Sequence, residues 1–266
     1  MRDKLYDNAD SFAMSFDEEW EKINCEDLKL KIDKVFEVLS DHPFLISNPE
    51  NARKLAEFIG STHYEWDIDI QVKGYCDTIE NAIGRKLTWD QDDITLQNIQ
   101  ARSRSPIIWM LANINHSLLL TTSNRSEGDV GYTTMDGDTS GSISPIAAVD
   151  KYFIMEWLKY AEKTLNYTAL NQVNKLIPSA ELRPLDKNQN DEIELMPYKV
   201  LVEIEQWAIH YKYTPLKIYK IMESKYGSDI KIWIKKFFRL WTANQWKRER
   251  IAPSFHLDAF NIDPRT

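Results

Sequence analysis

Ser117-Leu118-Leu119-Leu120-Thr121-Thr122 is followed at once by Ser123-Asn124-Arg125-Ser126-Glu127, so an apolar run gives way to a polar turn. Short continuous apolar runs suit a strand buried in a parallel sheet. Open α/β sheets bind ligands beyond the carboxyl ends of their strands, which places the first candidate site on residues 122–151. Glycine supports that placement. Of the eight glycines in the chain, Gly128, Gly131, Gly137 and Gly141 lie just after this turn, where close backbone approach or a positive φ is needed. The carboxylates of the same stretch are Glu127, Asp129, Asp136 and Asp138. Beside glycine turns at a strand end they fit Mg²⁺ shared with substrate phosphates. They fit equally a solvated loop built on Asp-Gly turns.

Working outward, Asn48-Pro49 predicts a helix start, with Ala52, Leu55, Ala56 and Ile59 as its apolar stripe and Gly60 as its stop. Tyr64, Trp66 and Ile68 alternate with His63, Glu65 and Asp67, predicting a strand over Thr62 to Ile68. A helix is expected from Asp92 to Arg104, and a second opening at Ser105-Pro106. Beyond Pro145 the chain turns helical: Lys151 to Lys163, then helices beginning at Pro197, Pro215 and Ser228, with a polar loop from Pro178 to Gln189. Upstream, Leu28, Ile32, Val35, Phe36 and Leu39 predict a helix over about Asp27 to Leu39. Core packing is the expected work of most of the nine tryptophans.

Composition excludes several classes. With 43% hydrophobic and 28% charged residues the chain is ordinary for a globular protein. No apolar run is long enough to span a membrane, and Met1 to Asp7 contain no apolar signal core. Two distant cysteines, Cys25 and Cys76, argue for a reducing cytoplasm. A net charge of −8 argues against a nucleic-acid partner. Lys247-Arg248-Glu249-Arg250, in a locally basic stretch, is the part suited to a phosphate or carboxylate. The five histidines have no metal-ligand spacing.

Several motifs then resemble one family: Leu96-Gln97-Asn98-Ile99-Gln100-Ala101-Arg102-Ser103-Arg104, Thr121 to Glu127, Gly131-Tyr132-Thr133-Thr134-Met135-Asp136-Gly137-Asp138, and Pro178-Ser179-Ala180-Glu181-Leu182-Arg183-Pro184. Asp191-Glu192, Leu195 to Tyr198, Asn244 to Arg250 and Ala252 to His256 join them. In this order and spacing they are similar to the synthetase part of glutamine-dependent NAD⁺ synthetases, over about Asn51 to Thr266. The resemblance implies an α/β, ATP-pyrophosphatase-type parallel sheet (adenine nucleotide alpha hydrolase-like), incomplete at its N-terminal side, with a mostly helical C-terminal part. It divides the chain into a divergent helical segment at 1–45 and a partial synthetase domain at 46–266. Within that domain, 46–150 is the α/β nucleotide-binding part and 151–266 is mainly helical.

The activity implied is NAD⁺ biosynthesis by a C–N ligase. ATP adenylates the carboxylate of deamido-NAD⁺, and ammonia, drawn from glutamine in full-length members, displaces AMP. By motif, Arg102, Trp246 and Lys247 are expected at deamido-NAD⁺. Thr122, Lys151 and Ser179 are expected at ATP, and Glu127 at Mg²⁺. Ammonia-only relatives place a lysine and an aspartate where this chain has Met135 and Ser142. The family's Ser-Gly-Gly-x-Asp-Ser phosphate loop has no counterpart in residues 1–59, which contain no glycine, so no catalytic residue is assigned. Asn8-Ala9-Asp10-Ser11 echoes its end only. Little or no turnover by the chain alone is therefore expected. The alternatives are one subunit of a split synthetase with a complementing chain, a homo-oligomer, or a non-catalytic dinucleotide-binding or interaction protein.

Overall fold

Pro49–Ile59 forms the first helix, α1, of a computed structural model that describes residues 49–180, 182–183 and 190–255. Gly60 ends it at φ 76°, as its sequence position implies. The small residues Ala52 and Ala56 let α1 lie close, and Ala52 packs with Val173. The helix expected at Asp27 to Leu39, and the whole 1–45 segment, lie outside the described residues.

Residues 61–68 are irregular, which corrects the strand expected over Thr62 to Ile68. Their alternation has nothing to pair with, since neither parallel bridge among the described residues reaches them. Helix α2, Asp69–Ile83, follows. It buries no residue, although Val72, Cys76, Ile79 and Ile83 recur at helical spacing in its sequence. Its end is plain: Gly84 is left-handed at φ 72° and donates its N–H to the Glu80 carbonyl.

Helix α3 spans Trp89–Ile114, 26 residues, with the Thr88 hydroxyl capping the Gln91 N–H. Two helices split at Ser105-Pro106 were expected; one helix runs through Pro106, and its irregular point is Asp92 (φ −122°, ψ 23°). Proline withholds one N–H from the preceding turn. Side-chain bonds to the glycine-bearing loop hold the turn of helix just before Pro106. Arg102 Nε donates to the Met135 carbonyl at 2.9 Å, and the Ser105 and Ser140 hydroxyls pair at 2.6 Å.

Of the Leu118–Leu120 run, expected as a buried strand, Leu119 is fully buried and Leu120 forms a single bridge, whereas Leu118 is exposed. Parallel bridges join Leu120 to Ile143 and Ser144 to Ser254. They are carried by Thr121 N–H to Ile143 O (2.9 Å), Ser142 N–H to Leu119 O (2.8 Å) and Ser144 N–H to Pro253 O (2.8 Å). Sheet pairing among the described residues is confined to these contacts, and the described chain is mostly helical.

The remaining helices are α4 (Arg125–Val130), α5 (Lys151–Thr164), α6 (Leu170–Val173), α7 (Asp191–Glu194), α8 (Tyr198–Glu205), α9 (Pro215–Tyr226), α10 (Ile230–Ala243) and α11 (Gln245–Arg248). Helix α8 runs on into a π-helical turn, Gln206–His210. The predicted starts at Pro197 and Pro215 hold to within a residue, and Ser228 stands two residues before α10. Leu201, Ile204, Ile218, Met222, Ile230 and Phe237 are wholly buried in the main core, where α8, α9 and α10 meet Val130 of α4. Each such side chain contributes about 1.5–3 kcal/mol by leaving water. This core anchors α4, the helix that begins the candidate site. No described helix is long and apolar enough to cross a membrane.

Candidate functional site

The site begins where the apolar segment ends. Asn124 caps α4: its side chain accepts the Glu127 N–H at 3.1 Å, and the Glu127 carboxylate accepts the Asn124 N–H at 3.3 Å. This reciprocal box fixes Glu127 against the mouth of the turn. Lys151, at the start of α5, brings its ammonium to 3.5 Å from the Glu127 carboxylate, and both side chains are largely buried. Its backbone N–H reaches the Ser126 hydroxyl at 3.2 Å. Burial raises the Glu127 pKa, and Lys151 opposes the rise.

Around this pair stand two further acids. Asp191 accepts the Ala180 N–H at 3.1 Å and the Tyr198 hydroxyl at 3.0 Å. Its own N–H goes to the Pro178 carbonyl at 3.3 Å, which ties the Ser179 segment to α7. Burial raises the Asp191 pKa, again against the pull of Lys151. Asp138 accepts the Thr134 N–H at 2.6 Å. Its pKa is pushed up to about 7, first by burial and then by the Glu127 charge, with Lys247 opposing. Asp138 thus senses both sides of the site.

On the far side, Lys247 donates to the carbonyls of Gly131 and Thr133, both at 2.7 Å. Burial lowers its pKa, Asp138 opposes, and Arg102 adds to the lowering. Trp246 is 49% exposed, with the Lys247 ammonium 5.9 Å from its ring centroid. It is therefore a surface available to a ligand and not a core residue. Arg102 is exposed and holds the Met135 carbonyl. Met135 itself is buried, so the position that ammonia-only relatives give to a lysine supplies a backbone acceptor here.

The structure brings the sequence-derived residues together in two groups. Glu127 and Lys151 form one, with Thr122 half-buried on the turn before α4 and Ser179 linked through Asp191. Arg102, Trp246 and Lys247 form the other around residues 131–135. Arg248 is not a ligand group. It is 1% exposed and spends its guanidinium on the Asp129 and Trp241 carbonyls and the Gln245 side chain. Its neighbour Arg250 stays exposed, 3.2 Å from Asp136.

Sequence reasoning missed Tyr198 as the partner of Asp191, and the buried acid pair Asp129 and Glu205. Both are wholly buried, and among the described residues no well-aligned donor reaches either carboxyl. Arg125 Nε stands 3.5 Å from Glu205, while its Nη atoms reach Asp150 and the Ala148 carbonyl. Their separation in sequence left no signal.

Gly131 is required twice over. Its φ is +64°, and an added Cβ would sit 2.3 Å from the Asn244 Cβ, whose amide holds the Val130 carbonyl at 2.8 Å. Gly131→Ala is expected to destabilise the chain by about 1–3 kcal/mol and to displace α11. A urea midpoint matching the parent would show that the α4–α11 junction accommodates a methyl group.

As a cation site the arrangement is open. No group of three His, Cys, Asp or Glu side chains able to hold a metal occurs among the described residues. Glu127 offers one hard carboxylate beside Lys151. That fits a Mg²⁺ held chiefly by phosphates and water, not a protein cage.

The turn after Leu120, the capped short helix α4 and the glycine-bearing loop together frame the candidate site. A family model described as NAD synthase matches residues 43–250, and the chain belongs to that family. Within it, the chain is similar to glutamine-dependent NAD(+) synthetases. Identity is 30% with that of Oryza sativa subsp. indica, over 79% of this chain and 32% of the relative. With that of Aquifex aeolicus (strain VF5) it is 33%, over 81% and 36%. The crystal structure of a glutamine-dependent NAD(+) synthetase from Cytophaga hutchinsonii matches with a TM-score of 0.70 and 53% identity, over 81% of this chain and 34% of that one. An NMN synthetase from Francisella tularensis shares the fold at a TM-score of 0.55 and 21% identity, over 76% and 70%. The chain spans about a third of the length of the curated relatives it matches. A second model, a cyanobacterial helix-turn-helix domain, matches residues 10–59. That stretch holds twelve acidic and six basic side chains, a poor balance for meeting phosphate backbone.

Proposed function

We propose that this chain carries the synthetase portion of a glutamine-dependent NAD⁺ synthetase, binding deamido-NAD⁺ and Mg·ATP for amidation to NAD⁺. The observation that carries the reading is the convergence of Arg102, Trp246 and Lys247 on the loop at 131–135, next to the buried Glu127–Lys151 pair. In this reading segments 119–121, 142–144 and 253–254 belong to an ATP-pyrophosphatase-type parallel sheet. Residues 46–150 form its nucleotide-binding part and 151–266 its helical part.

The reaction proceeds in two displacements. A carboxylate oxygen of deamido-NAD⁺ attacks the α-phosphorus of ATP, and the bond to pyrophosphate breaks. Ammonia then attacks the acyl carbon, AMP leaves, and the ammonia nitrogen gives up a proton. Thr122 and Ser179 contact ATP, and Lys151 supplies positive charge to its phosphates. Glu127 would hold the Mg²⁺ that ATP brings, and that ion would supply positive charge to the phosphates. Arg102 and Lys247 hold the dinucleotide's phosphates or carboxylate, and Trp246 offers a face for stacking.

The test is NAD⁺ formation from deamido-NAD⁺, Mg·ATP and excess ammonium, together with calorimetric binding of deamido-NAD⁺. Trp246→Ala is expected to weaken that binding about tenfold or more, because stacking on an aromatic face is worth about 1–3 kcal/mol. An unchanged affinity would remove Trp246 from the dinucleotide site.

A second reading is a dinucleotide-binding protein without turnover. Binding with no NAD⁺ formed, even when a complementing synthetase chain is added, would select it. Turnover restored by that chain would select a split enzyme.

A further inference from the structure

Arg183 has no role in the site as described so far, yet it ties together three segments that the site depends on. Its guanidinium forks onto Asp93 of α3, with Nε to Oδ1 at 2.9 Å and Nη2 to Oδ2 at 2.7 Å. Its third arm, Nη1, meets the Glu194 carboxylate of α7. The other oxygen of Glu194 accepts the Tyr132 hydroxyl at 2.7 Å. Tyr132 stands between Gly131 and Thr133, whose carbonyls hold Lys247 at 2.7 Å each. A continuous path of charge-assisted and neutral hydrogen bonds therefore runs from the segment bearing Ser179, through Arg183, Glu194 and Tyr132, to the Lys247–Trp246 corner.

Asp93 lies next to Asp92, the irregular point of α3, so Arg183 also grips the helix that carries Arg102 where that helix departs from ideal geometry. All three charged side chains are only partly exposed, at 24% for Arg183, 31% for Asp93 and 24% for Glu194. A forked, half-buried arginine with two carboxylate partners is geometrically specific in a way that a surface ion pair is not.

We propose that Arg183 is a positioning residue that sets the 131–135 loop in register with the Ser179 segment, so that nucleotide bound on one side favours dinucleotide bound on the other. The inference rests on the functional reading above for the identity of the two ligands, but not for the coupling itself. Arg183 touches neither ligand. It acts through Glu194 and Tyr132 on the carbonyls that orient Lys247. Lysine cannot replace it, because one ammonium cannot span both carboxylates in the fork geometry.

The experiment uses the full chain and the variants Arg183→Ala, Arg183→Lys and Glu194→Gln, with two readouts. The first is the dissociation constant of deamido-NAD⁺ with and without a non-hydrolysable Mg·ATP analogue. The parent is expected to bind the dinucleotide at least about fivefold more tightly with the analogue present, the lower end of typical coupling. Arg183→Ala is expected to lose that factor while its affinity for each ligand alone changes less than about twofold, and Arg183→Lys is expected not to restore it. Undiminished coupling in Arg183→Ala, or an equal loss of every affinity, would overturn the proposal.

The second readout is amide hydrogen exchange in peptides covering 130–136, with peptides from α10 as the internal reference. Exchange at 130–136 is expected to quicken about tenfold in Arg183→Ala and Glu194→Gln while α10 is unchanged. Unchanged exchange at 130–136, or a uniform rise that includes α10, would overturn the proposal. A parent chain that binds neither nucleotide would defeat the functional reading alone, and the exchange result would still decide the role of Arg183.

Discussion

Arg248→Ala is expected to lower the unfolding free energy by about 3–5 kcal/mol, a large fraction of what holds a domain of this size together. The side chain is 1% exposed. Its Nη1 donates to the Asp129 carbonyl at 3.0 Å, and its Nη2 to the Trp241 carbonyl at 2.6 Å and the Gln245 side chain at 2.5 Å. The guanidinium carbon lies 3.7 Å from the centroid of the Trp241 ring. Truncation strands buried acceptors, opens a cavity against Trp241, and removes one of the two cations, with Arg125, that pull the Asp129 pKa down. Arg248→Lys is expected to recover less than half of the loss, since a single ammonium cannot serve three acceptors and stack at once. Urea unfolding of the three proteins measures both effects. A loss below about 1 kcal/mol for the alanine variant would mean that α11 holds its place without this residue.

The second large effect concerns Asp129 and Glu205. Burial raises the pKa of both, that of Asp129 well above the ordinary carboxylate range, and each acts on the other, while Arg125 pulls downward. The folded protein therefore keeps protons that the unfolded chain releases above about pH 4. Stability from this pair is whole below that pH and is lost as the pH rises through the folded pKa values, which for Glu205 is about 7. While the folded state holds one proton more than the unfolded state, the slope is about 1.4 kcal/mol per pH unit. Asp129→Asn supplies a permanent hydrogen-bond donor to Glu205 without a charge to bury. It is expected to flatten the decline between about pH 5 and about pH 8, and to raise stability at the upper end by about 1–2 kcal/mol. Parallel pH profiles for the parent and the variant would show that the decline arises elsewhere, with Asp138 the next group to examine.

Much of the site was legible in local sequence. The glycines after Leu118–Leu120 and the helix starts at Pro197 and Pro215 depend on near neighbours, and the structure has each of them, while the equally local Asn124/Glu127 capping pattern was not read. The family motifs added residues that no spacing rule supplies. The strand expected at Thr62 to Ile68 failed for a physical reason. Alternation states which side chains would share a face, whereas a strand exists only when another segment takes up its hydrogen bonds. Helix α2 was within reach of the same reasoning, since Val72, Cys76, Ile79 and Ile83 recur at helical spacing, but the stripe is short and the structure buries none of it.

The amino-acid order alone was enough to establish family membership, the glycine-bearing loop and several helix starts, because turns, caps and amphipathic faces are short-range properties. Tertiary structure decided which charges stand at the candidate site and which are sealed in the core. Lys247 and Arg248 are adjacent in sequence and equally basic. One holds the loop carbonyls beside Trp246, and the other is sealed between α4 and α10. The fate of a charge depends on what surrounds it in space, since desolvation and partner geometry set both its energy and its availability. No local pattern contains that information.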